Sequence, residues 1–173
     1  VQGTILCRWA LAMKGQGEEE IAQVRQGIAA YRATGAMVFV PYFYTWLADV
    51  SAHLGHVEEG LQVLAEAHTL VEQQEERWWE AEVLRLRGVL LLRQTTPQPE
   101  EAETWLQRAL DVARRQEAKS LELRAAMSLS RLWQLQGKHD EARELLAPIY
   151  SWFTEGFDMA DLQEAKALLE ELA

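Results

Sequence analysis

Apolar side chains recur every three or four residues along most of this chain, in long stretches separated by short polar or glycine-containing breaks. That is the period of an amphipathic helix. It predicts nine helices, over residues 2–14, 18–33, 40–54, 57–74, 77–94, 99–117, 120–136, 139–154 and 159–172. The best strand-like run, Met37-Val38-Phe39-Val40, is followed at once by Pro41. Pro41 fits the first turn of a helix, where its missing N–H costs nothing. Thr96 or Gln98 before Pro99-Glu100-Glu101 marks another helix start, Ser120 is placed to cap the seventh helix, and Asp158 with Asp161 makes a cap-like pair for the last. Pro148 falls inside the eighth pattern and predicts a kink. The expected fold class is all-α.

The breaks themselves are periodic. Gly15 and Gly55 are 40 residues apart, and Gly55 and Gly137 are 82 apart, two units of about 41. Thr95-Thr96-Pro97-Gln98 supplies the intervening turn. Similar helices follow each turn: Glu18-Glu19-Glu20-Ile21, Glu58-Glu59-Gly60-Leu61, Glu100-Glu101-Ala102-Glu103 and Asp140-Glu141-Ala142-Arg143. Val24, Leu64, Leu106 and Leu146 come next at matching positions, then Gly27, Ala67, Ala109 and Ile149. Small residues at Gly60, Ala102 and Ala142 let two helices cross closely, and the large residue beyond fills the groove. This small–large–small pattern resembles the tetratricopeptide repeat, whose usual period is about 34 residues. Here each helix is longer by roughly a turn. The resemblance implies one domain, a right-handed α-solenoid of four helix-turn-helix units, about 1–35, 36–75, 76–117 and 118–157. Residues 158–173 form a cap whose face is Leu162, Ala165, Leu168 and Leu169. Stacked units bury the stripe that each alone would expose.

Composition narrows the function. A net charge of −10 argues against a nucleic-acid module, which needs a basic face. Hydrophobic residues at 49% support a sizeable core rather than disorder. No apolar run approaches the roughly 18 residues of a membrane span, and no signal-peptide pattern opens the chain. Cys7 is the only cysteine, which excludes an intrachain disulfide and fits a cytoplasmic location. The chain begins without Met inside a helical pattern, as a piece of a longer protein would.

Catalytic constellations are not evident. The only Gly-Lys, Gly137-Lys138, is followed by His139 and reads as an ordinary turn, not a phosphate loop. His53 and His56 have no further ligands at metal spacing. Most of the carboxylate clusters at Glu18–Glu20, 58–59, 75–76 and 100–103 sit in first turns of helices, where negative charge is favoured. Cys7 reads as a small buried hydrophobe. The expectation is a non-catalytic chain with no metal and no cofactor. Trp46, Trp105 and Trp133 read as core. Trp78 and Trp79, adjacent on a helix, diverge by about 100° and cannot both point inward; Trp152 is equally ambiguous.

A more specific resemblance is carried by Gln26-Gly27-Ile28-Ala29-Ala30-Tyr31-Arg32-Ala33-Thr34-Gly35, by Glu76-Arg77-Trp78-Trp79-Glu80-Ala81-Glu82 with Arg85-Leu86-Arg87-Gly88, and by Ala118-Lys119-Ser120-Leu121-Glu122-Leu123-Arg124-Ala125-Ala126. Leu146-Ala147-Pro148-Ile149-Tyr150-Ser151-Trp152-Phe153-Thr154-Glu155-Gly156-Phe157-Asp158 is the most distinctive part. Across its length the chain resembles the C-terminal repeat region of bacterial signalling proteins that join a class III adenylate/guanylate cyclase to an AAA-type ATPase. The resemblance implies a regulatory tail that binds protein segments. A looser likeness, to regulators of the maltose-activator type, implies instead a small-molecule sensor.

In tetratricopeptide arrays the first helix of each unit lines a concave groove. The positions that match are Tyr42, Thr45 and Asp49; Glu82, Arg85, Val89 and Arg93; and Arg124, Met127, Arg131 and Gln134. Four arginines on one groove suit an acidic peptide, or an acidic segment of the same parent chain. The plainer alternative is that they pair with neighbours such as Glu82 and Glu122. The expected partner residues are Tyr42, Asp49, Arg85, Arg93, Arg124 and Arg131. No nucleic acid and no membrane is expected, and homo-oligomerisation through an apolar repeat end at residues 1–15 is a further expectation.

Overall fold

The computed structural model describes residues 18–74 and 77–173. Over these the chain is all-helical, with no strand, and folds as α1 (Glu18–Ala33), α2 (Val40–His53), α3 (Val57–Gln74), α4 (Glu80–Arg93), α5 (Pro99–Arg115), α6 (Lys119–Leu135), α7 (His139–Ser151) and α8 (Ala160–Glu171). The helix expected over residues 2–14, together with Cys7, Gly15 and the oligomerising end, lies outside the described residues.

Start and stop chemistry explains most boundaries. Pro41 and Pro99 occupy the first turns of α2 and α5. Glu58 with Glu59, and Glu100 with Glu101, place negative charge at helix N-termini. Gly55 (φ 90°) and Gly137 (φ 77°) end α2 and α6 in the left-handed conformation. The next amide then reaches back, from His56 to the Ser51 carbonyl at 2.7 Å and from Lys138 to the Trp133 carbonyl at 2.8 Å. Glu117, at φ 54°, makes the same turn after α5 without glycine, and Ala118 reaches back to the Ala113 carbonyl. Three local expectations are corrected. Ser120 does not cap α6, which begins one residue earlier behind Ala118. Asp158 does not cap α8, whose flanking residue is Met159. Trp78 and Trp79 lie in the turn before α4 rather than on a helix.

Among the described residues, every close helix–helix packing joins helices that are consecutive or two apart in the chain. Consecutive helices form hairpins, while α2, α4, α6 and α8 also pack side by side. The hairpins cross at small residues. A Cβ on Gly60 of α3 would stand 3.0 Å from the Ala48 carbonyl of α2, and one on Gly88 of α4 would stand 3.0 Å from the Ala102 carbonyl of α5. At the α6–α7 crossing the Ser130 hydroxyl donates to the Ala142 carbonyl at 3.0 Å.

The core runs as two clusters. Val83, Leu86 and Leu90 of α4 join one with α1, α2 and α3, while Ala81, Leu84 and Leu91 join the other with α5 to α8. Burial on both sides leaves α4 only a narrow outward strip. Helix α8 buries Leu162, Ala165 and Leu168, with Leu172 just beyond it, and Leu169 is half-buried.

Candidate functional site

The strips left open by α2, α4 and α6 meet. On α2, Tyr42, Thr45, Trp46 and Asp49 fall one helical turn apart on one face. Glu82, Arg85 and Leu86 of α4 and Arg124 of α6 complete a cavity of about 180 Å³. One wall is aromatic. Tyr42 stacks on Trp79 at 3.8 Å between ring centroids and 16° between planes, and meets Trp46 edge-on at 4.6 Å.

The opposite side is charged. Glu82, with its side chain only 5% exposed, accepts two hydrogen bonds from Arg85, Nε to Oε2 and Nη2 to Oε1, both at 2.8 Å. Arg124 of the neighbouring helix adds an ion pair, its Nη1 3.1 Å from Oε1. Arg85 also donates to Ser128 Oγ at 3.2 Å, and Arg124 Nε stands 3.8 Å from Asp161 of α8. Burial works against the charge of Arg85, but the attraction and hydrogen bonds of Glu82 outweigh it and hold the proton more firmly than usual. Asp49 differs. Burial pushes its carboxyl above the usual value even though Arg85, Arg93 and Arg124 attract it. Among the described residues no side chain donates a hydrogen bond to it.

Tyr42, Asp49, Arg85 and Arg124 are therefore brought together, while Arg93 and Arg131 are not. Arg93 is exposed near the end of α4, within electrostatic reach of Asp49. Arg131 is exposed and pairs with Glu164 of α8 at 2.9 Å. Two groove expectations are corrected. Met127 is 3% exposed and belongs to the core. Arg85 does not offer a free fork to a partner, because Glu82 holds it; the plainer alternative describes it. Gln134 donates to Glu171 at 3.4 Å, so side chains of α8 pair with the α6 part of the strip while leaving Arg131 exposed.

Trp46, read as core, is half-buried and lines the cavity; its place four residues after Tyr42 carried that signal. Trp105 and Trp133 are also half-buried against the core. Arg87 lies 3.9 Å from the Trp105 ring centroid, and the Trp133 indole donates to Glu103 at 2.9 Å. Trp78 is 77% and Trp152 58% exposed. A second concavity of about 320 Å³ runs beside Trp152, Pro148 and Ile149. There Glu122 accepts from Lys119 Nζ at 2.7 Å and Arg114 Nε at 3.1 Å. Burial disfavours the Glu122 charge, yet these two donors outweigh it and hold its carboxyl below the ordinary value of 4.5.

Among the described residues no cluster of three or more His, Cys, Asp or Glu is placed to hold a metal ion, and no helix is long and apolar enough to cross a membrane. Compared with known proteins, the chain matches no family model and no curated sequence.

Proposed function

We propose that the chain is a non-catalytic, tetratricopeptide-like α-solenoid module that binds a peptide or protein segment along the face made by α2, α4 and α6. Hairpin crossings at Ala48·Gly60, Gly88·Ala102 and Ser130·Ala142, spaced by 40 to 42 residues, support the repeat reading. The observation that carries the binding reading is the cleft between Tyr42, Asp49 and Arg124, where three helices converge on an aromatic wall and an acid to which no described side chain donates. The sequence resemblance supports reading it as the cytoplasmic regulatory tail of a bacterial nucleotide-signalling protein. Reading the coding sequence upstream checks that part: cyclase and ATPase domains should precede it, and their absence would remove the assignment.

Binding is tested by selecting displayed peptides on the chain and repeating the selection on Tyr42→Ala, Arg93→Glu and Arg131→Glu. Arg85→Glu is a poor probe, because it would set a second carboxylate against Glu82. Binders weakened by these changes support the face and, if acidic, the original expectation about the partner. Binders indifferent to all three move the site elsewhere.

A small-molecule sensor is the second reading. The aromatic wall beside convergent polar groups favours it, although such sites commonly reach about 300–1,000 Å³. A metabolite screen by thermal shift separates the two.

A further inference from the structure

We propose that the cavity between α2, α4 and α6 receives the uncharged carboxamide of a glutamine or asparagine side chain, and not the acid that the arginine count suggests. The inference rests on the segment-binding reading and names the chemistry of its anchor.

Three observations on charge lead there. Arg85 and Arg124 at the cavity are balanced by Asp49 and Glu82, so the site has no formal excess of either sign. Arg85 directs both N–H groups that face Glu82 to that carboxylate and another to Ser128, which leaves little to offer an anion. A cation drawn to Asp49 would meet Arg85 and Arg124, with Arg93 also within electrostatic reach.

The remaining capacity is dipolar. Asp49 supplies acceptor oxygens to which no described side chain donates, while Arg124, one-third exposed, has N–H groups beyond those turned to Glu82 and Asp161. A carboxamide donates through its NH₂ and accepts through its oxygen, so it can answer both at once. Its flat group also suits the Tyr42 and Trp46 wall. About 180 Å³ is roughly the room of six waters, the scale of one side chain.

The test is an NMR titration of the chain with four probes: the N-acetyl methylamides of glutamine, glutamate, lysine and alanine. The Trp46 indole resonance reports binding. The glutamine probe should shift it saturably, the other three should not, and Asp49→Ala should weaken the response about tenfold, the loss expected for one hydrogen bond to a charged group. Asp49→Ala should keep or raise the melting temperature, because it removes a half-buried acid to which no described side chain donates; weaker binding is then not unfolding. A larger shift with the glutamate or lysine probe, an equal one with alanine, no shift at all, or a glutamine response that survives Asp49→Ala would each overturn the proposal. The segment-binding reading fails separately, if peptide selection on the same protein yields no binder.

Discussion

Gly88 lies against Leu106 so closely that a Cβ on the glycine would come within 2.7 Å of Leu106 Cγ. Leu106 is fully buried and the Ala102 carbonyl is 3.0 Å from the same point, so neither side has room to give. Gly88→Ala gains about 0.5–1 kcal/mol of helix preference but overpacks the crossing, at about 1–3 kcal/mol. The variant should have a lower urea midpoint. An unchanged or higher midpoint would show that α4 and α5 can separate freely.

Glu82 and Arg85 are nearly sealed from solvent, with side chains 5% and 13% exposed. Glu82→Ala strands a buried guanidinium and should cost about 3–5 kcal/mol. The double variant Glu82→Leu, Arg85→Met removes both charges and should be more stable than Glu82→Ala alone. Equal losses would mean that packing, rather than charge, holds this corner.

Acid should loosen the chain through Glu122. Its carboxyl is held below 4.5 in the folded state, so its contribution is present above pH 4.5 and is lost as pH falls through the lower folded value. Asp49 acts oppositely: its raised value means that the folded state is penalised while Asp49 is charged and relieved on protonation. Glu122→Gln should flatten the acid side of the stability–pH curve, and Asp49→Asn should raise stability at neutral pH. Identical curve shapes for Glu122→Gln and the parent would refute the first expectation.

Glu117 adopts a left-handed conformation that Gly55 and Gly137 adopt without strain. Glu117→Gly should therefore raise stability by about 1 kcal/mol, read as a higher melting temperature. A drop would show that the glutamate side chain compensates for its backbone.

Trp79→Ala removes the ring stacked on Tyr42 and should cost about 1–3 kcal/mol, of which the ring pair accounts for about 0.5–1.5. Trp78→Ala, at a 77% exposed position, should change stability by less than about 0.5 kcal/mol. Comparable losses from both would contradict the packing of this turn.

Periodicity made the helices legible because a buried stripe must repeat with the helical turn. Gly60, Ala102 and Ala142 were legible as crossing points; their partners Ala48, Gly88 and Ser130 share the spacing but follow no single residue type. Met127 and Arg85 were harder to place. Helices α4 and α6 are packed on several sides, so a small rotation decides whether a position faces the cleft, the core or a neighbouring acid. The Glu82–Arg85 pair depends on that rotation, as does the Tyr42–Trp79 stack on a turn that helical spacing does not describe. The caps at Ser120 and Asp158 failed because backbone amides at those starts are arranged by flanking residues without a side-chain acceptor.

Because close helix packing among the described residues joins helices at most two apart in the chain, none of these helices must find a distant segment before folding proceeds. Topologies of this kind fold quickly, in about microseconds to milliseconds. Cooperativity is correspondingly short-ranged: a weakness near α8 reaches α2 only through every hairpin between them. Amide exchange should follow a gradient along the chain, fastest toward α8 and slowest in the middle hairpins.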